Sequence, residues 1–315
     1  MLGPKPIVVV GSINTDLVSV TERIPAVGET VLGTDFRTHS GGKGANQAVA
    51  VARLGYPVRL IGRLGSDPFG AQLRSQLQGA GVDTVGVATS EGSSGVAVIV
   101  VSEKGENSIV VTPGANSRVT PHDLDANIDI IRQAGVVLTQ LEIPIETVEY
   151  LALICAREHV PLILDPAPAV DLPQGIFRHV EWFTPNETEA AFFLKNEEMN
   201  ETSSDPREVS RWLLSKGSRG VVLKMGARGV YLATRNGLGE ALSAFPVNAI
   251  DTTAAGDAFN GGFATGLMLG KTPLESGRFA AAVAGISVTR SGAQPSMPTM
   301  AEVEELMESA VVRAI

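Results

Sequence analysis

The chain has 315 residues, 44% of them hydrophobic, and a formal net charge of −9. That length and composition allow a large α/β core, and the negative charge excludes a broad nucleic-acid footprint. A single cysteine, Cys155, excludes an internal disulfide, and the four histidines show no metal-ligand spacing.

Taken in chain order, Met1–Pro6 carries two prolines, and the apolar run Ile7–Val10 is too short for the core of a secretion signal. No apolar stretch approaches a membrane span, so the expectation is a soluble, cytoplasmic protein with no membrane or nucleic-acid partner. Ile7–Val10, ending at Gly11, reads as a buried parallel strand. Asp16–Val20, Thr30–Leu32 and Phe36–Ser40 are short and mixed in polarity, which suits a small antiparallel sheet. Asn14 and Asp16 stand just past the first strand, where α/β sheets bind ligands, although taken alone they read as an ordinary Asx turn.

Ser40–Asn46 is a glycine-rich turn opening a helix over Gly44–Leu54. Its glycines permit positive φ and close approach of a ligand, and Lys43 and Asn46 add donors suited to hydroxyls. It is neither a Walker A loop nor a Gly-x-Gly-x-x-Gly dinucleotide fingerprint. A strand over Val58–Gly62 and a helix over Phe69–Ala80 follow, then a hairpin of Gly95–Val101 and Ser108–Thr112. The run Val96–Val101 barely alternates, so cover on both faces is expected, one face from a second subunit.

From Val136 strands and helices alternate, which implies a parallel sheet flanked by helices on both faces. Strands are expected at Val136–Thr139, Leu162–Asp165, Trp182–Thr184, Val221–Met225 and Val230–Ala233. Helices are expected near Glu146–Glu158, Glu187–Leu194, Pro206–Lys216, Ala258–Leu269, Glu275–Thr289 and Met300–Val312. Glu142 follows the first of these strands. Thr184–Glu189 follows the Trp182 strand, and Thr184 or Asn186 caps the next helix or, with Glu189, forms a phosphate and Mg²⁺-water station. Lys224–Gly229 is a tight turn or the edge of a nucleotide site. Ser287–Ser296 ends a helix in a loop whose carbonyls suit a monovalent cation. Cys155 falls on a core-facing helix surface.

The most informative stretch is Asp251–Gly262. Small residues Ala254, Ala255 and Gly256 lead into a helix whose first turn offers unpaired N–H groups and a positive dipole end to phosphate oxygens. Asp257 beside them is either an ordinary acidic residue at a helix start or a base placed to accept a proton from a hydroxyl, and cradle and base together are what phosphoryl transfer to an alcohol requires.

Gly11–Asp16, Gly41–Ala48, Thr184–Ala190, Asp251–Asn260 and Gly292–Ser296, in this order, resemble the ribokinase-like (pfkB) sugar kinases over nearly the whole chain. The resemblance implies one kinase domain over 1–315, with a small β-sheet lid of about 15–40 and 95–113 that also builds a homodimer. It implies transfer of the ATP γ-phosphoryl group to the 5-hydroxyl of D-ribose, with Asp257 as base and the N–H groups of Ala254, Ala255, Gly256 and Asp257 as anion hole. The sugar is expected against Asn14, Asp16, Gly42, Lys43, Asn46 and Glu142. The nucleotide is expected against Asn186, Lys224, Met225, Gly226, Ala227, Arg228, Gly229 and Gly256, with Asn186 and Glu189 supporting Mg²⁺ through water. Asp251, Thr253, Ser287, Arg290, Gly292 and Ser296 correspond to the family's K⁺ site. The common family form of the catalytic loop is Gly-Ala-Gly-Asp, where this chain has Ala254-Ala255-Gly256-Asp257. Ala281 stands where many relatives carry Asn or His beside the adenine, so no side-chain contact to the base is expected there.

Overall fold

Val8 and Val10 of strand β1 (Ile7–Val10) pack into one hydrophobic cluster, Ile7 and Val9 into another, and all four are fully buried. A strand with cover on both faces needs helices on each side of its sheet, and the chain supplies them. The computed structural model describes residues 3–195 and 205–312. The extreme ends of the expected 1–315 domain, Met1 included, and residues 196–204 lie outside the described residues.

After β1 come β2 (Asn14–Thr21), β3 (Gly33–Gly41), helix α1 (Lys43–Arg53), β4 (Val58–Gly65), α2 (Pro68–Gly79), β5 (Asp83–Ser90), β6 (Gly95–Ser102) and β7 (Asn107–Thr112). Short helices α3 (Pro121–Ala126) and α4 (Ile128–Arg132) lead to β8 (Val136–Thr139), α5 (Ile145–Arg157), β9 (Leu162–Leu164) and β10 (Trp182–Phe183). Helices α6 (Glu187–Leu194) and α7 (Pro206–Lys216) precede β11 (Gly220–Lys224), β12 (Val230–Thr234) and β13 (Gly239–Leu242). Helices α8 (Ala255–Met268), α9 (Pro273–Ser287) and α10 (Met300–Val312) complete the described elements.

The main sheet is nine-stranded, in the order β13-β12-β11-β10-β9-β8-β1-β4-β5. It is parallel from β11 to β5, and β12 and β13 extend one edge antiparallel. The chain leaves β1 toward β4 on one side and later returns to β8 on the other, a reversal that opens a crevice at the carboxyl ends of the strands. Val10 lies level with Thr139 and Ile61, so the residues after β1, β8 and β9 emerge along one rim. One cluster packs residues of α1, α8 and α9 against the sheet. The other packs α5 and α7 on the opposite face and encloses Cys155.

The second sheet has four strands, β3-β2-β6-β7. It is mixed rather than antiparallel, because β2 pairs with β6 in parallel while β2–β3 and β6–β7 are antiparallel. That pairing joins strands separated by β3, α1, β4, α2 and β5, and no local signal announces it. Thr30–Leu32, expected as a strand, is loop, and β3 begins at Gly33. Strands β5 and β13 were not anticipated. Helix α8 starts at Ala255, not Ala258, which puts Asp257 inside the first turn. Phe36, Val98 and Val110 leave apolar surface exposed on one face of the small sheet, and Ile109 and Val111 on the other.

Candidate active site

Gly42 has φ +87°, and a Cβ there would lie 2.7 Å from the Asn14 nitrogen and 2.9 Å from the Ser12 carbonyl oxygen. Only glycine fits without displacement, and the fit seats the start of α1 against Ser12–Asn14. The Ser12 hydroxyl donates to Glu142, whose Oε2 also accepts from the Lys43 N–H at 3.1 Å. Asn116 grips the same corner, accepting from Ile13 N–H at 2.9 Å and donating to Asn14 Oδ1 at 2.7 Å. Asn14 therefore keeps its own amide donors for a ligand.

Asp257 meets two successive residues of α1. Its Oδ2 accepts from Asn46 Nδ2 at 2.9 Å and its Oδ1 from Gln47 Nε2 at 3.1 Å. The carboxylate is 5% exposed, yet it sits among polar groups and not in hydrocarbon. Burial pushes its pKa up to about 6; Lys43 opposes the rise, Asp165 reinforces it, and the Asn46 and Gln47 bonds oppose it. Asp16 is likewise raised to about 6, by burial and then by the charges of Glu142 and Asp257. Burial acts to lower the Lys43 pKa, but Asp257, Asp165, Glu142 and Glu189 outweigh it and hold the ammonium protonated.

Ala254 caps α8 in the left-handed region, at φ 57° and ψ 17°, a conformation costly for a residue with a Cβ. The Ala255 N–H turns back onto the Thr252 carbonyl at 3.2 Å. Ala255 is thus already engaged, while the N–H groups of Ala254, Gly256 and Asp257 have no backbone partner among the described residues. Lys224 Nζ lies 3.5 Å from the position a Cβ would take on Gly256. Its ammonium is paired with Asp165 at 2.9 Å, so a positive charge stands beside the helix tip.

The rest of the expected nucleotide face is uneven. Asn186 and Lys224 are joined by a backbone bridge, which gathers them near Gly256. Gly226–Arg228 is a tight helical turn closed by Met225 N–H to the Gly229 carbonyl at 2.8 Å. Met225 is buried in the core cluster of the sheet face that also holds α5 and α7. Arg228 is tied to Glu187. Asn186 caps α6 in a capping box with Glu189, whose carboxylate accepts from Asn186 N–H at 2.7 Å and Nδ2 at 2.9 Å. Burial raises the Glu189 carboxyl above its usual range against the opposing charge of Lys224.

Asp251 ties two loops together: Oδ1 accepts from Thr253 N–H at 2.9 Å and Oδ2 from Gly292 N–H at 2.8 Å. Burial alone would raise its pKa, and these donors bring it below the ordinary value. The Ser287 and Ser296 hydroxyls are turned onto the Ala284 and Ala293 carbonyls, at 2.8 and 2.7 Å, and Arg290 pairs with Glu302. Among the described residues no group of three or more His, Cys, Asp or Glu is placed to hold a metal ion.

Asn116, Gln140 and Asp165 lie outside the motifs of the sequence, and their parts in this network come only from the fold. Gln294 Nε2 reaches Asn46 Oδ1 at 3.3 Å, which links the C-terminal loop to α1.

A parallel sheet with a buried carboxylate and a helix tip at its carboxyl edge is the framework of an α/β enzyme acting on an anionic ligand. The sequence matches the profile of the pfkB family carbohydrate kinases over residues 5–300, and the chain belongs to that family of phosphotransferases. It is 41% identical to the ribokinase of Bacillus subtilis over 302 residues, covering 96% of this chain and 99% of that one. It is 40% identical to the ribokinase of Schizosaccharomyces pombe over 306 residues, covering 95% and 96%. The structure of Arabidopsis thaliana ribokinase complexed with ribose and ATP superposes with a TM-score of 0.89 at 34% identity, covering 97% of this chain and 99% of that one.

Proposed function

We propose that the protein is a cytoplasmic, ATP-dependent ribokinase that phosphorylates D-ribose at its 5-hydroxyl. The observation that carries this reading is the Asp257 carboxylate, clamped by Asn46 and Gln47 one position from the free N–H of Gly256. Asn14, Asp16, Lys43, Asn46 and Glu142 line the crevice with donors and acceptors for sugar hydroxyls. The 5-hydroxyl gives its proton to Asp257 as its oxygen bonds to the γ-phosphorus, the bond to the β-phosphate oxygen breaks, and ADP leaves. The Gly256 and Asp257 N–H groups and Lys224 meet the charge that spreads over the transferred group, which is where such catalysis chiefly lies.

Mg²⁺ belongs with the nucleotide phosphates, where it neutralises their charge. The Glu189 oxygens each keep a lone pair beyond the capping box, so a metal-bound water fits there. K⁺ fits the carbonyl-rich loops joined by Asp251, where its charge orders the segment leading into α8. Residues 15–40 and 95–113 act as the lid, and the exposed apolar face of Phe36, Val98 and Val110 is the homodimer contact. An ADP-release assay over a sugar panel, with and without K⁺, tests the reading. D-ribose is expected to give the highest kcat/KM, at least about tenfold over 2-deoxyribose, because a site built around hydroxyls rejects analogues lacking them. A higher value for another sugar, or no ADP with any, refutes it.

A further inference from the structure

Gln47 makes three hydrogen bonds that fix its amide in one orientation. Its Oε1 accepts from Gln140 Nε2 at 2.6 Å, and its Nε2 donates to Asp165 Oδ2 at 3.0 Å and to Asp257 Oδ1 at 3.1 Å. A flipped amide would aim its oxygen at two carboxylates, so the bond from Gln140 and the two acids demand the same arrangement. Gln47 is fully buried and Asp165 is 2% exposed, so neither offers a face to a ligand. The second oxygen of Asp165 accepts from Lys224 Nζ at 2.9 Å, and that ammonium stands beside Gly256 at the helix tip.

We propose that Gln47 and Asp165 are positioning residues for phosphoryl transfer, linking the Asp257 carboxylate to the Lys224 ammonium beside the anion cradle. The proposal rests on Asp257 acting as the base. Gln47 occupies one lone pair of Oδ1 and stops the carboxylate from rotating, which leaves another lone pair for the acceptor hydroxyl. Asp165 steers Lys224 to where phosphoryl charge arrives. It also places a negative charge near the base. The charged groups facing Asp257 are Lys43 on α1, Asp16 on β2 and Asp165 after β9. Lys224 at the end of β11 and Glu189 on α6 face that cluster.

The test is the pH dependence of kcat at saturating sugar and ATP for the native protein, Asp165→Asn and Gln47→Met, with melting curves to establish folding. Asp165→Asn removes a like charge and is expected to move the acidic limb to lower pH by about half to one unit. Gln47→Met keeps the volume but loses the clamp, and kcat is expected to fall about tenfold while KM for the sugar stays within about twofold. An unmoved limb in folded Asp165→Asn, or an unchanged kcat in folded Gln47→Met, overturns the proposal; if Asp165→Asn does not fold, Gln47→Met decides. Asp257→Asn is measured alongside. Near-normal turnover there defeats the base assignment, whereas an inactive Asp257→Asn with an unmoved Asp165→Asn limb defeats only the positioning role.

Discussion

Asn46 and Asp257 stand 211 residues apart in sequence and meet through a 2.9 Å hydrogen bond. The bond ties the first helix of the chain to the first turn of α8, so the groups assigned to the sugar and to the chemistry share one rigid seam. Asp257→Asn leaves that seam nearly the same shape and removes the proton acceptor. Turnover is expected to drop by about 10²–10⁴-fold, the usual worth of a general base, with the melting temperature shifted by no more than a few degrees. Steady-state kinetics and circular dichroism on one preparation check this.

Acid should silence the enzyme before it unfolds it. Asp16 and Asp257 both titrate at about 6, so log kcat/KM is expected to fall below that pH with a limiting slope approaching two. For a carboxylate whose folded pKa lies above its unfolded value, the native state binds the extra proton as pH falls. These two groups therefore add stability between about pH 6 and 4. A melting temperature that fell in step with activity over that window would contradict the assignment.

Ala254 holds a left-handed conformation at the mouth of the anion cradle. Ala254→Gly relieves about 1–2 kcal/mol of steric cost and gives back part of it as chain entropy. A net gain of about 0.5–1 kcal/mol in urea unfolding is expected. Ala254→Val should lose stability and turnover together.

Gly42→Ala forces a methyl group against the backbone of Ser12, Ile13 and Asn14, at 2.7–2.9 Å. Destabilisation by about 1–3 kcal/mol is expected, with a rise in KM for the sugar exceeding any rise in KM for ATP. Equal effects on both would place the damage outside the sugar end.

Asp251→Ala cuts the ties to Thr253 and Gly292. The K⁺ concentration for half-maximal activation is expected to rise by about tenfold, matching roughly 1.4 kcal/mol. Titration with KCl at constant ionic strength, balanced with tetramethylammonium chloride, reads it directly.

The parallel core was legible in the sequence because Ile7–Val10 and Val136–Leu138 are apolar without interruption, and a strand covered on both faces needs that. Asp257 was legible because glycine and alanine precede it at a helix start. The pairing of β2 with β6 was not, since strand partnership depends on what lies opposite in space. Asp165 looked like the polar end of a strand, and its link to Lys224 crosses 59 residues. Glu189 satisfied two patterns at once, a helix cap and a metal-water station, and the capping geometry is the one formed within the chain.

Strand β1 ends at Val10 and β2 begins at Asn14, so Gly11, Ser12 and Ile13 alone connect the two sheets there. On the other side, β3 runs through Gly41 and Gly42 straight into α1. Both joints are too short to absorb slack. A tilt of the small sheet must therefore drag Asn14, Asp16 and the tip of α1 along with it, making the groove's roof and its floor parts of one lever.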